Sequence, residues 1–279
     1  MTVSTGTAFE ISEENGVAHL RLTRPEASNA MNAAFWTAFG PAITRLDRAG
    51  QTRALVISGE GRNFCAGMDL SAFAGAIPDT KTAADRQAFP ALVHDLQEAF
   101  TALERARFPV IAAIQGACVG AGLELAAACD LRFAAADARF RVEEINIGMM
   151  ADVGSLQRLP KLMPEGLVKE LAFLGRTLTA DRALAVGFVT EVHADAEAVV
   201  TGALAAAGEV AGKAPLAIAG SKAAIHYARD HSVADSLAWA GLAQAGLWNT
   251  GDIAKAIQAR ATKTVGEYEP LAAIPTMGK

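Results

Sequence analysis

The 279-residue chain carries a formal charge of -5 and is 52% apolar, much of it alanine spread along the whole length. That is enough chain for one large domain with a substantial core and no need of disulfides. Mild acidity without a basic cluster argues against nucleic-acid or membrane-surface binding, and no stretch approaches the roughly 20 unbroken apolar residues that span a bilayer.

The N-terminal segment has no basic start leading into an apolar run, so no export signal is expected. Cys65, Cys118 and Cys129 are odd in number and lack C-x-x-C spacing, which reads as small buried residues in a reducing compartment. A cytoplasmic enzyme is the expectation. Residues 17–22 alternate as a half-buried strand, and Trp36, Phe39, Ile43 and Leu46 recur at helical spacing, interrupted by Gly40-Pro41. Residues 53–58 predict a second strand. Residues 71–90 are polar and irregular and read as a mobile segment or a lid, with a plain surface loop as the alternative, and a helix is expected to open after Pro90.

Short strands are predicted at 109–114, 130–134 and 139–142, with a helix at 123–129 between the first two. Beyond about residue 200 only helical patterns remain, at 197–211, 215–229, 232–248 and 251–263. The expected organisation is an α/β core over 1–204 followed by a helical region over 205–279. Periodicity alone does not distinguish a doubly wound parallel sheet from a spiral of β–β–α turns.

Two features point to chemistry. Gly116 to Leu125, GACVGAGLEL, is a glycine-rich turn into a helix. The first amides of that helix lack intrahelical partners and can face a developing oxyanion. The spacing is not that of a dinucleotide fingerprint. A tight turn without ligand is the plainer reading of the turn alone.

The second feature is acidic. Glu124 lies among Leu123, Leu125 and a run of alanines, so its helix is apolar all round and buried. A buried carboxylate is costly unless it is paired or working. Glu144 follows a strand, and Asp152 precedes a helix expected near Gly154, where an N-cap would be an ordinary role for it. Crowded acids in an apolar pocket drive their pKa values apart, as proton transfer beside a carbonyl requires.

Phe64-Cys65-Ala66-Gly67-Met68-Asp69-Leu70 and Gly116 through Leu125 with Ala128 to Phe133 resemble the two motifs of the crotonase (enoyl-CoA hydratase/isomerase) superfamily. Asn29-Ala30-Met31-Asn32, the stretch from Thr179-Ala180 to Gly187-Phe188-Val189, and Ser221-Lys222 resemble further family signatures. The resemblance covers about residues 10–265 and implies a β–β–α spiral core with a helical C-terminal trimerisation region. It implies an acyl-CoA thioester substrate, no cofactor besides the coenzyme A carried by that substrate, and assembly as a homotrimer or dimer of trimers.

By motif position, the resemblance implies an oxyanion hole at the Met68 and Ala121 amides. It also implies substrate contacts at Ala66, Gly67, Asp69, Leu70 and Gly120. The family usually has glycine where Ala121 stands. Glu124 and Glu144 match the two glutamates of enoyl-CoA hydratases. Asp152, within Ala151 to Lys161, resembles instead the Δ3,5-Δ2,4-dienoyl-CoA isomerases, as do Ala172-Phe173 and Arg229 through Leu237. Those isomerases generally carry Asp at the Glu124 position.

The resemblance therefore implies an enzyme of fatty-acid β-oxidation type, with dienoyl-CoA isomerisation placed first. Hydration of a 2-enoyl-CoA by Glu124 and Glu144 is the alternative, and a non-catalytic acyl-CoA-binding protein is a third. Lys222 is expected either at the CoA phosphates or as a solvated helix lysine.

Overall fold

The computed structural model describes residues 3–4, 8–71 and 81–276. Among the described residues, ten strands form two sheets. β1 (Val3–Ser4), β2 (Phe9–Glu14), β3 (Val17–Leu22), β4 (Ala54–Gly59), β5 (Val110–Ile114), β7 (Leu131–Ala135) and β10 (Glu191–His193) lie side by side in that order. From β3 to β10 every pairing is parallel, and β1 and β2 add an antiparallel edge. A smaller sheet places β8 (Arg139–Arg141) between β6 (Ala117–Val119) and β9 (Leu178–Thr179).

Both faces of the large sheet are covered, which is why β4 and β5 read as continuous apolar runs rather than alternating ones. On one face Leu55, Ile57, Val110, Ala112 and Ile114 join the main core. On the other, Ala54, Val56, Ile111 and Ala113 meet Val199, Ala203 and Ala207 of the helix Ala196–Ala211.

Ten helices are described: α1 (Ala33–Ala49), α2 (Ala83–Arg105), α3 (Ala121–Ala128), α4 (Ser155–Leu162), α5 (Glu165–Leu174), α6 (Ala180–Ala185), α7 (Ala196–Ala211), α8 (Pro215–Asp230), α9 (Val233–Leu247) and α10 (Thr250–Thr262). The division expected between 204 and 205 falls inside α7. Helix α1 continues through Pro41, which stands on its solvent face, while Phe35, Phe39 and Ile43 face the core.

The helix expected to open after Pro90 begins instead at Ala83. Thr82 accepts from the Asp85 amide and Asp85 reaches back to Thr82, a reciprocal cap that fixes the first turn. Pro90 lies exposed on α2, so its ring and missing N–H fall on the solvent side of the helix. Of the expected lid, residues 72–80 fall outside the described residues, and the part from Ala83 onward is helical.

Candidate active site

The glycine-rich turn and the 64–70 segment are joined edge to edge. Cys65 bridges Cys118 in parallel fashion, through Cys65 N–H to Ala117 O at 2.9 Å and Val119 N–H to Cys65 O at 3.0 Å. Met68 bridges Met31: Met31 N–H donates to Gly67 O at 2.8 Å, and Asp69 N–H donates to Met31 O at 3.0 Å. Successive strand amides alternate sides, so the Met68 N–H points away from Met31.

Gly67 has φ 95°, and a methyl group there would lie 3.3 Å from Ala121 N, so residues 67–68 abut the start of α3. Gly120 precedes α3 and its carbonyl accepts from the Leu123 and Glu124 amides. Neither the Met68 nor the Ala121 N–H has a protein acceptor among the described residues. Ala121 is buried, and its methyl leaves the helix start intact.

Glu124, in the first turn of α3, is 1% exposed. Its Oε1 accepts from Val153 N–H at 3.1 Å, Ser155 N–H at 3.3 Å and Ser155 Oγ at 3.2 Å. Burial, and then the neighbouring Glu144 charge, push its pKa up to about 7 against those hydrogen bonds.

Glu144 opens a short 3-10 turn, Glu144–Ile147, separated from β8 by Val142 and Glu143. A methyl on Gly120 would stand 3.2 Å from its Oε1, which places this carboxylate against the N-terminus of α3. Its Oε2 is buried without a hydrogen-bond partner among the described residues. Burial raises its pKa; backbone hydrogen bonds oppose this, and the charges of Asp152 and Glu143 add to it. A buried carboxylate oxygen left unpaired in this way is open to an external proton or water.

Asp152 is half-buried, and burial raises its pKa as well. It is not a helix cap: α4 starts at Ser155, its N-cap is Gly154, and no side chain caps it. The Asp152 carbonyl accepts from Gln97 Nε2 at 2.7 Å. The three predicted acids are therefore brought together, and each carries a raised pKa.

The remaining predicted contacts divide into two kinds. Ala66 is exposed, Leu70 is 66% exposed, and Gly67 and Gly120 are buried at the junction just described. The Asp69 carboxylate is engaged by Arg24 Nη1 at 2.9 Å and by Ser71, which hold its pKa low. Its side chain thus shapes the 66–71 turn.

Lys222 fits neither expectation. It is 7% exposed, and its Nζ donates to Leu103 O, Phe108 O and Asp130 Oδ2 at 2.7, 2.9 and 2.7 Å. An ammonium has three protons, so none remains for a phosphate.

Sequence reasoning missed the groups that hold the acids in place. Ser155 and the Val153 amide are 31 and 29 residues from Glu124. Backbone donors leave no signature in composition. An apolar groove of about 410 Å³ is lined by Val142, Ile145, Met149, Met150, Leu156 and Phe173, and Ile145 and Ala151 of its lining are the sequence neighbours of Glu144 and Asp152. A larger cleft of about 970 Å³ between α1 and α2 contains none of the three acids.

A pair of unpartnered amides at a junction close to a carboxylate cluster defines a site suited to proton transfer next to a carbonyl. Residues 12–265 match the enoyl-CoA hydratase/isomerase family. The chain is 41% identical over 252 residues to the mitochondrial Delta(3,5)-Delta(2,4)-dienoyl-CoA isomerase of Homo sapiens, covering 89% of this chain and 77% of that protein. It is 32% identical to the peroxisomal Delta(3,5)-Delta(2,4)-dienoyl-CoA isomerase of Arabidopsis thaliana, covering 97% and 100%. The crystal structure of an enoyl-CoA hydratase from a Polaromonas species superimposes with a TM-score of 0.82 at 29% identity, over 94% of this chain and all of that one.

The chain belongs to the enoyl-CoA hydratase/isomerase family, and its fold is the crotonase fold of those structures. The cytoplasmic expectation does not stand, because these isomerase relatives are mitochondrial and peroxisomal. Three free, buried thiols are compatible with a reducing environment, and that is not an address. No described helix is long and apolar enough to cross a membrane.

Proposed function

We propose that this chain converts 3,5-dienoyl-CoA to 2,4-dienoyl-CoA. Coenzyme A enters as part of the substrate. The thioester oxygen sits between the Met68 and Ala121 amides, with Ala66, Gly67, Leu70 and Gly120 shaping the approach and Asp69 holding the turn. As a proton leaves C2, negative charge moves onto that oxygen and the two N–H groups stabilise the dienolate.

Glu144, ionised, takes the C2 proton. Asp152, protonated, delivers one to C6, leaving double bonds at C2 and C4. The cycle needs one acid charged and the other neutral, and mutual repulsion in a desolvated pocket favours that division. Glu124 biases the pair electrostatically while anchored to the loop that carries Asp152. The alkyl tail beyond C6 lies in the apolar groove next to Met150 and Leu156.

The observation that supports this reading above others is the placement of Asp152: half-buried, coupled to Glu144, and not capping α4. Hydration of 2-enoyl-CoA has its own support, since Glu144 stands near enough to raise the Glu124 pKa and the solved relative is a hydratase. Against it, Glu124 Oε1 is already occupied by three donors.

Purified protein given 3,5-dienoyl-CoA is expected to produce the ultraviolet absorbance of the conjugated 2,4-dienoyl thioester. Rapid hydration of 2-enoyl-CoA without conjugation of the diene would reverse the assignment. Tight acyl-CoA binding with neither reaction would make the chain a binding protein.

We also infer self-association through the C-terminal helices into a homotrimer or a dimer of trimers. Val233, Leu237 and Leu242 of α9 are 78%, 69% and 80% exposed, an apolar surface that a second copy would cover. Sedimentation at micromolar concentration giving only monomer would rule this out.

A further inference from the structure

The loop that carries Asp152 is held by an ion-pair relay behind it. Resting on the isomerase reading above, we propose that Glu104 is a positioning residue. Through Arg158 it fixes the 152–155 backbone that places Asp152, and Arg229 ties this support to the C-terminal helices.

The geometry is continuous. Glu104, in the last turn of α2, has a side chain only 13% exposed. Its Oε2 accepts from Arg158 Nη2 at 2.7 Å and its Oε1 from Arg229 Nη1 at 2.6 Å. Arg158 belongs to α4 and Arg229 to α8. Arg158 then donates through Nη1 to Val153 O at 3.2 Å and through Nη2 to Thr101 Oγ1 at 3.3 Å.

The loop is gripped on successive peptide groups. The Asp152–Val153 peptide donates its N–H to Glu124 and accepts from Gln97 at its C=O. The next carbonyl, Val153 O, accepts from Arg158. The Ser155 N–H again meets Glu124. Gly154 completes the fit. It has φ 136°, outside the range an L side chain adopts readily, and a methyl there would collide with the Arg158 guanidinium.

Glu104 is thus the common acceptor of two cations, and among the described residues it is the carboxylate that pairs with both. Arg229 also contacts its neighbour Asp230 at 3.3 Å, but that side chain is half-exposed. A planar guanidinium held at a fixed angle by a carboxylate orients what it touches on its other edge. Removing the carboxylate frees Arg158 and, with it, the Val153 carbonyl.

The test uses the full chain with Glu104→Gln, Arg229→Met and the double variant, assayed on 3,5-dienoyl-CoA and by amide hydrogen exchange. Glu104→Gln is expected to lower kcat by about tenfold or more with KM changed less than about twofold, because a small displacement of an acid costs turnover rather than binding. Exchange at the Val153 and Ser155 amides should quicken by about tenfold. Arg229→Met should reduce kcat about threefold alone and have no additional effect in the Glu104→Gln background, the mark of residues acting in one chain.

Unchanged kcat, an effect on KM alone, or losses that multiply in the double variant would overturn the relay. If Glu104→Gln does not fold, Arg229→Met must by itself quicken exchange at Val153 and Ser155, and no change there overturns the proposal. If the wild-type protein does not isomerise the diene, the functional reading fails, while the exchange measurements still decide on the relay.

Discussion

Two acids of the site stand on opposite sides of one contact. Glu124, on α3, is almost fully enclosed and gives one carboxylate oxygen to three donors. Asp152, on the loop before α4, is half-open, and it is its backbone carbonyl, not its carboxylate, that α2 holds. The loop is therefore fixed through its peptide groups while the aspartate side chain is left for other work. Burial combined with three donors on one oxygen marks an anchor, and partial burial combined with a carboxylate that no other residue holds marks a proton carrier. Counting acids near a site does not separate these roles; following their hydrogen bonds does.

The sharpest way to break the contrast is Asp152→Asn. The amide has nearly the same shape, the side chain caps no helix, and its oxygen can still accept from its own backbone N–H as the carboxylate does. Dienoyl-CoA turnover should fall by about 10²- to 10⁴-fold, the usual worth of a positioned proton-transfer group. Stability should move by less than about 0.5 kcal/mol, as for a substitution that disturbs no packing. Steady-state kinetics alongside urea unfolding measures both. Activity within a few-fold of wild type would make Asp152 a bystander.

Glu124→Gln probes the other half. The folded pKa of Glu124 is about 7, against an ordinary value of 4.5. A raised acid pKa means that the folded state keeps a proton that the unfolded state releases. Stability is therefore full below 4.5 and declines as pH rises to about 7, after which the loss is constant. The cost at neutral pH is about 3 kcal/mol, from roughly 2.5 pK units at 1.36 kcal/mol each. Glutamine avoids this ionisation and still offers an oxygen to Val153 and Ser155. The variant should gain on wild type across pH 4.5 to 7 in urea melts, while turnover falls by about tenfold as the site loses a charge. A constant difference at all pH values would show that Glu124 is not held near neutrality.

Much of this was legible in the residues themselves. The parallel strands at 54–59 and 110–114 show as short apolar runs, and α7 to α10 show as clean helical periods in the last third. Glu124 was visible as a buried acid because every neighbour on its helix is small or apolar. α2 opens upstream of Pro90 because Thr82 and Asp85 cap it reciprocally, a pairing that an expectation built on the proline leaves out. Proline breaks a helix when its missing N–H leaves a buried carbonyl, and Pro90 is on the solvent side. The Lys222 role was hidden for a related reason: two of its three acceptors are backbone carbonyls more than a hundred residues away.

The smallest effect sharpens the comparison by separating two opposed titrations. His19, on β3, lies partly buried beside Ser58, with Nε2 2.8 Å from Ser58 Oγ. Burial, and then the Arg21 charge, lower its pKa from 6.5 to about 4. A depressed histidine pKa favours the folded state when neutral, so its contribution is full above 6.5 and lost as pH falls toward 4. That slope runs opposite to the Glu124 slope over nearly the same interval. In the wild type the two largely offset each other between about pH 4.5 and 6.5. His19→Gln keeps a polar partner for Ser58 and removes the titration, so its melts should expose the Glu124 slope alone, stability now falling as pH rises. Allowing for solvent around the imidazole, the change amounts to about 1–2 kcal/mol across the window. The double variant with Glu124→Gln should be nearly flat there. A persisting slope in the double variant would mean that other groups, Glu144 first among them, carry the pH dependence assigned to this pair.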